Sequence, residues 1–256
     1  MSDARLHARA KGDGGAAVVL LHGFGGDHGE WVDIQPDLAR DHRTLAYDLP
    51  GHGRSLDVAG AGSAGAAAKA VLTDLTARGI DRVHVVGFSM GGAVATLMAL
   101  RAPGRIASLT LLAPGGFGPE INSDLLERFA ASATADELRA TLDEMAGPDF
   151  RLPTRNVAGL AAVRFAPGMR DSMMRIVGSI ARDGRQGEIP RASLESLAMP
   201  VTLVWGTADP VLPFAHTDNL PARFALHPIP GAGHMLPVEA LKTVISLIRR
   251  TVRSAG

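Results

Sequence analysis

A mostly parallel α/β sheet, flanked by helices and carrying a helical lid inserted before the strand at about 201–206, is the fold class this sequence predicts. Three observations predict it. Short apolar runs recur along the 256 residues, each ending in turn residues; helical patterns separate them; and one long stretch, 117–190, shows helical patterns with no buried-strand run. Uninterrupted apolar runs are what strands covered on both faces require. Strands alternating with helices imply right-handed crossovers in one sheet.

Ala16–Leu21 runs into His22-Gly23, Arg43–Tyr47 ends at Asp48-Leu49-Pro50-Gly51, and Val83–Val86 meets Gly87. Ser108–Leu112 meets Ala113-Pro114-Gly115, Val201–Trp205 meets Gly206, and Phe224–His227 is strand-like. Helices are expected at Met90–Ala102, at Pro237–Val252 and, more weakly, from Ser63 to Arg78. Gly60, Gly62 and Gly65 crowd the segment Asp57–Ala70, and each glycine costs a helix about 1 kcal/mol relative to Ala, so its start is expected to be a loop. Within 117–190 the helices are Asn122–Ala131, Ala135–Met145 capped by Thr134, Asn156–Phe165 and about Gly168–Ala181. The chain therefore divides into a core of 1–116 and 191–256 and a cap of 117–190, with no repeat, heptad run or charge block.

Composition narrows the function. Hydrophobic residues at 46% and charged residues at 20% are globular values. Lys+Arg and Asp+Glu balance at 26 each, giving no electrostatic drive toward nucleic acid or anionic membrane. There is no Cys, which excludes disulfides, thiol nucleophiles and Cys-ligated zinc. The N-terminal Met1–His7 lacks the apolar core of a signal peptide, and no apolar run approaches the ~20 residues that span a bilayer; a soluble, cytoplasmic protein is expected.

The strongest motif is Gly87-Phe88-Ser89-Met90-Gly91-Gly92, between a strand and a helical run. A sharp strand-to-helix turn exposes the serine hydroxyl, and glycines two before and two after it remove side chains that would collide. A serine is a poor nucleophile until a base takes its proton. His234, in Pro230-Gly231-Ala232-Gly233-His234, and Asp209, in Gly206-Thr207-Ala208-Asp209-Pro210, come after later strands and supply a base and its orienting carboxylate. The loop His22-Gly23-Phe24-Gly25-Gly26 can present a backbone donor, so Phe24 and Met90 N–H are assigned to a developing oxyanion. His22 is read as an anchor for that loop rather than a base, and Asp27 or His28 as the cap of the next helix.

These motifs, together with Asp48-Leu49-Pro50-Gly51-His52-Gly53-Arg54-Ser55, resemble the α/β-hydrolase superfamily over about residues 5–253, on its capped serine esterase and C–C hydrolase-like branch. The resemblance implies an α/β-hydrolase fold, a catalytic triad of Ser89, Asp209 and His234, and Asp48 as scaffold. Motifs of this kind fix the fold far better than the substrate. Haloalkane dehalogenases place Asp where Ser89 stands. The chain is also similar to the hydrolase-like part of acetoin-dehydrogenase E2 components, but it shows no H-x-x-x-D-G motif and no lipoyl segment, so acyltransferase chemistry is not expected. Arg151, Arg155, Arg164, Arg170 and Arg175 of the cap are expected to be solvated. Its apolar residues, among them Phe117, Phe129, Met145, Met173 and Met174, are expected to line an acyl pocket. The expected activity is hydrolysis of small to medium apolar carboxylic esters, including polyester oligomers, with a small-molecule ester as the partner and no metal or organic cofactor. The alternatives are a C–C bond or lactone hydrolase using the same triad, and a ligand receptor that turns over slowly.

Overall fold

The computed structural model describes residues 5–255. Met1–Ala4, part of the N-terminal stretch Met1–His7 read above as lacking a signal peptide's apolar core, and Gly256 lie outside the described residues.

Seven strands form one sheet: β1 (Ala8–Lys11), β2 (Ala17–Leu21), β3 (Thr44–Tyr47), β4 (Val83–Phe88), β5 (Ile106–Leu112), β6 (Val201–Gly206) and β7 (Ala225–Ile229). Their spatial order is β1-β3-β2-β4-β5-β6-β7. All neighbours are parallel except β1, which pairs antiparallel with β3 in the register Ala8↔Tyr47. The strands from β2 to β6 are buried along their whole length, as their unbroken apolar runs require. Strand β1 escapes sequence reading because Ala-Arg-Ala-Lys is a half-exposed edge that buries no continuous run.

The helices are α1 (Gln35–Leu38), α2 (Ala64–Ala77), α3 (Met90–Arg101), α4 (Ser123–Ala131), α5 (Ala135–Met145), α6 (Thr154–Arg164), α7 (Met169–Ile180), α8 (Arg191–Glu195), α9 (Leu236–Glu239) and α10 (Leu241–Arg253). Helices α2 and α3 pack together, as do α1 and α10, and the sheet lies between helical layers. Turns run through Gly60 and Gly62, and α2 begins once Ser63 accepts a hydrogen bond from Ala66 N. The expected C-terminal helix at Pro237 is two helices instead; the chain breaks at Ala240 and α10 starts at Leu241.

Helices α4–α7 come after β5 and precede β6, and they pack on one another in a ring: α4 on α5 and α7, α6 on α5 and α7. Asn122 and Thr134 cap α4 and α5 by accepting from Leu125 N and Glu137 N. No helix among the described residues is long and apolar enough to cross a membrane.

Candidate active site

Strand β4 ends at Phe88, and Ser89 turns the chain into α3 with φ 51° and ψ −117°. A non-glycine residue there is strained, and such strain persists only where the surroundings enforce it. Gly87 and Gly91 of the motif do so by close approach. A Cβ on Gly87 would lie 2.4 Å from Gly91 O, and one on Gly91 would lie 2.3 Å from Leu21 O and 2.5 Å from His22 O. Ser89 N donates to Leu112 O (2.9 Å), while Ser89 O accepts from Gly92 N and Gly115 N (2.9 Å each).

The loops after β6 and β7 bring the other two groups to that hydroxyl. His234 Nε2 lies 2.9 Å from Ser89 Oγ, and His234 Nδ1 lies 2.8 Å from Asp209 Oδ2. Asp209 is fixed in turn, because its Oδ1 accepts from Val211 N (2.8 Å) and Leu212 N (2.9 Å). The His234 and Asp209 side chains are buried. With Nδ1–H directed at the carboxylate, Nε2 is free to accept the serine proton. The three residues assigned from sequence are thus in one hydrogen-bonded line.

The loop after β2 completes the site. His22 donates from Nδ1 to Gly23 O (2.7 Å) and accepts at Nε2 from Leu49 N (2.9 Å), the anchoring role expected of it. Burial holds its pKa below the usual histidine value. Asp48 accepts from His28 N, from His28 Nδ1 (both 2.7 Å) and from Arg54 N (2.8 Å), which makes it a scaffold. Asp27 caps the short helical turn His28–Trp31 through Gly29 N. Among the described residues no protein acceptor is hydrogen-bonded to Phe24 N or Met90 N, so these amides are open to a ligand.

Three supporting residues were missed in the sequence. Glu239 accepts from Gly233 N and Gly147 N at Oε2 and from Met235 N at Oε1, all at 2.8 Å, tying the His234 loop to the end of α5. His52 accepts from Gly25 N (3.2 Å), and burial pushes its pKa down to about 3, keeping it neutral. Glu30 accepts from Gly23 N (2.8 Å) at the base of the same loop. The one sequence signal was position: His52 stands inside the Asp48–Ser55 motif, and Glu30 and Glu239 lie a few residues past the His22 and His234 motifs.

Two cavities meet at Ser89. One, about 390 Å³, is mainly apolar and lined by Ser89, Met90, Leu97, Leu100, Ile121, Ile180 and Leu212. The other is a chamber of about 40 Å³ bounded by Ser89, His234, Phe24, Phe129 and Met145. Phe129 and Met145 are therefore where a pocket residue should be. Phe117, Met173 and Met174 are not. Phe117 is buried against the Trp205 ring, Met173 is wholly buried in cap packing, and Met174 is 43% exposed on the surface. Of the cap arginines, Arg151, Arg155, Arg170 and Arg175 are exposed as expected, but Arg164 is buried and donates to Phe129 O (2.7 Å) and Ala130 O (3.0 Å).

For metal ligation, His7, His28 and Asp48 are the group among the described residues whose donor atoms come within 4.8 Å of one another. The Asp48 oxygens there already serve backbone amides and the His28 ring, which explains the cluster without an ion.

A serine held in a strained strand-to-helix turn on a parallel sheet, bonded to a histidine and through it to an aspartate, defines the site of a nucleophilic hydrolase fold. Residues 16–241 match the alpha/beta hydrolase fold family, and the chain belongs to that family. It is 34% identical over 233 residues to the dihydrolipoyllysine-residue acetyltransferase component of an acetoin cleaving system from Pseudomonas putida, covering 91% of this chain and 62% of that protein's length. It is 29% identical over 243 residues to a 2-hydroxy-6-oxononadienedioate/2-hydroxy-6-oxononatrienedioate hydrolase of Cupriavidus pinatubonensis, covering 82% of this chain and 76% of that one. A solved meta-cleavage product hydrolase from Pseudomonas fluorescens superposes with a TM-score of 0.85 at 20% identity, over 98% and 95% of the two chains, a likeness of fold.

Proposed function

We propose that this chain is a serine hydrolase of carboxylic esters that works through an acyl-enzyme, with 117–190 as its cap. Ser89 Oγ attacks the ester carbonyl while His234 Nε2 takes its proton. The Phe24 and Met90 amides receive the oxyanion. His234 then protonates the departing alcohol, and water, activated by the same imidazole, releases the acid and restores Ser89. Asp209 keeps the ring in the required tautomer and stabilises its charged form. Protein groups alone supply this chemistry.

The observation that carries the reading is the line Asp209–His234–Ser89, at 2.8 and 2.9 Å, opening into an apolar cavity of about 390 Å³. Steady-state hydrolysis of p-nitrophenyl esters from acetyl to dodecanoyl tests it. The expected result is turnover with a short-to-medium chain optimum, falling by about 10⁴-fold or more in Ser89→Ala. Full activity in folded Ser89→Ala would falsify it.

A second reading, C–C bond hydrolysis by the same triad, draws on a larger, mainly apolar cavity of about 730 Å³ bordered by His28, Arg54, Arg155 and Asn156. That cavity does not reach Ser89 itself but shares Leu142, Leu160 and Met235 with the chamber that does. The activity of the Cupriavidus pinatubonensis relative also supports it. Under that reading a ring-fission dienone outcompetes the best p-nitrophenyl ester in kcat/KM.

A further inference from the structure

The small chamber beside Ser89 is walled by Phe88, Leu126, Phe129, Leu142, Met145 and other apolar groups. Apart from Ser89 and His234, its single polar side chain is Glu30. Glu30 also borders the 730 Å³ cavity, which shares Leu142, Leu160 and Met235 with the chamber, so the carboxyl stands where the two spaces adjoin. One of its oxygens is committed: Oε2 accepts from Gly23 N at 2.8 Å, and that oxygen is 2.9 Å from where a Cβ on Gly26 would sit. Among the described residues no hydrogen bond reaches Oε1.

Burial pushes the Glu30 carboxyl up to about 8; the Gly23 amide opposes this and the nearby Asp27 charge adds to it. A carboxyl raised that far is mostly protonated at pH 7 and carries one O–H donor, and the half-buried Glu30 side chain offers it to the spaces it lines. Protonated at Oε1, it keeps Oε2 for the Gly23 amide and has one donor to offer a ligand in the otherwise apolar chamber that Glu30 lines.

We propose that Glu30 is a specificity residue whose Oε1 hydrogen-bonds a second, neutral oxygen of the substrate, so that the preferred esters carry a keto or ether oxygen near the scissile carbonyl rather than a plain alkyl chain. This deepens the ester-hydrolase reading and rests on it. A site built to bond an oxygen rejects the analogue lacking it, because its own polar group is then stranded. One hydrogen bond of ordinary strength corresponds to about a tenfold preference.

The test compares matched substrates at pH 7: p-nitrophenyl pentanoate against p-nitrophenyl 4-oxopentanoate for the acyl side, and propyl acetate against 2-oxopropyl acetate for the alcohol side. Wild type is expected to favour the oxo member of one pair by about tenfold in kcat/KM. Glu30→Gln, which keeps an acceptor for Gly23 N and a donor for the ligand, is expected to retain that ratio. Glu30→Leu is expected to lower it about tenfold, to the ratio that the two substrates' own reactivities set. The ratio within each variant is the readout, so a general loss from a disturbed Gly23 loop cancels. A wild-type ratio near one in both pairs overturns the proposal, as does an undiminished ratio in Glu30→Leu; either stands even if another variant fails to fold. Calorimetric binding of pentanamide and 4-oxopentanamide to Ser89→Ala separates this proposal from the ester reading. Tighter binding of the oxo amide without turnover of any ester by wild type leaves Glu30 as proposed and removes the ester reading. Ester turnover with equal amide affinities and equal kcat/KM values does the reverse.

Discussion

The sheet end and the cap solve the same problem, placing side chains around one hydroxyl, by different means. At the sheet end the backbone leaves no choice: Gly87, Gly91, Gly206 and Gly233 each sit so close to another main chain that a Cβ would lie within 2.4 Å of it. Inside the helices α6 and α7 of 117–190 the corresponding positions are open, although Gly147, just past α5, joins the close approaches of the sheet end, a Cβ there lying 2.2 Å from Gly231 O. A Cβ added to Gly159 in α6 or Gly178 in α7 would meet nothing within 4 Å, and the helices are held by apolar side chains such as Leu125, Leu138, Met173 and Ile176. Main-chain hydrogen bonds join 117–190 to the rest of the chain where Asn122 N donates to Val211 O (3.0 Å), Ile189 N to Gly116 O (2.8 Å) and His234 N to Met145 O (2.8 Å). Main-chain contact fixes geometry to tenths of an ångström, whereas side-chain packing tolerates substitution at constant volume.

The largest effect that would break this contrast is at glycine. Gly91→Ala should cost more than about 4 kcal/mol, because the Leu21 and His22 carbonyls it would meet belong to a buried strand and the loop at its end. Failure to accumulate folded protein, or a large drop in the urea midpoint with activity abolished, is the expected outcome. Gly178→Ala should instead stabilise by about 0.5–1 kcal/mol through helix propensity. Equal effects at the two positions, read by urea unfolding, would erase the distinction.

The same contrast explains what could be read in advance. Ser89, Asp209 and His234 lie just past strand ends, and a parallel sheet brings the C-terminal ends of its strands together, so chain position implied spatial convergence. The loop anchor His22 and the scaffold Asp48 were legible for the same reason. Glu30 and Glu239 were not, because their work is to accept from backbone amides, and a glutamate in a helical turn of four residues carries no periodic or spacing signal. Arg164 was misplaced because a cationic residue near a helix end ordinarily reaches water. Here the guanidinium instead closes the C-terminal end of α4, a favourable place for a cation, and lies 5.1 Å over the Phe129 ring.

Arg164 gives the second, intermediate effect. Its Nη2 serves two carbonyls, but Nε and Nη1 are buried without a partner among the described residues, and burial pushes its pKa down to about 10. The favourable and unfavourable contributions nearly offset, so volume should matter more than charge. Arg164→Met is expected to stay within about 1.5 kcal/mol of wild type, while Arg164→Ala, which adds a void beside Phe129, should cost about 2–4 kcal/mol. Urea unfolding decides between them; equal losses would show that the charge itself holds the cap together.

The smallest expected effect lies one residue from the centre of the cap. Successive residues on a helix point about 100° apart, so Met173 and Met174 cannot share an inward face. The buried positions of α7 are Met169, Ser172, Met173, Ile176 and Val177, a spacing of three and four that leaves Met174 on the outer surface. Composition groups the two methionines; periodicity separates them. Met174→Ser should therefore change stability by no more than about 0.5 kcal/mol and leave kcat/KM for p-nitrophenyl esters within about twofold, there being no transition-state contact for it to remove. A loss of tenfold or more in kcat/KM, with the urea midpoint unchanged, would mean that α7 rotates or shifts when substrate is bound, making the cap a moving part rather than a fixed wall.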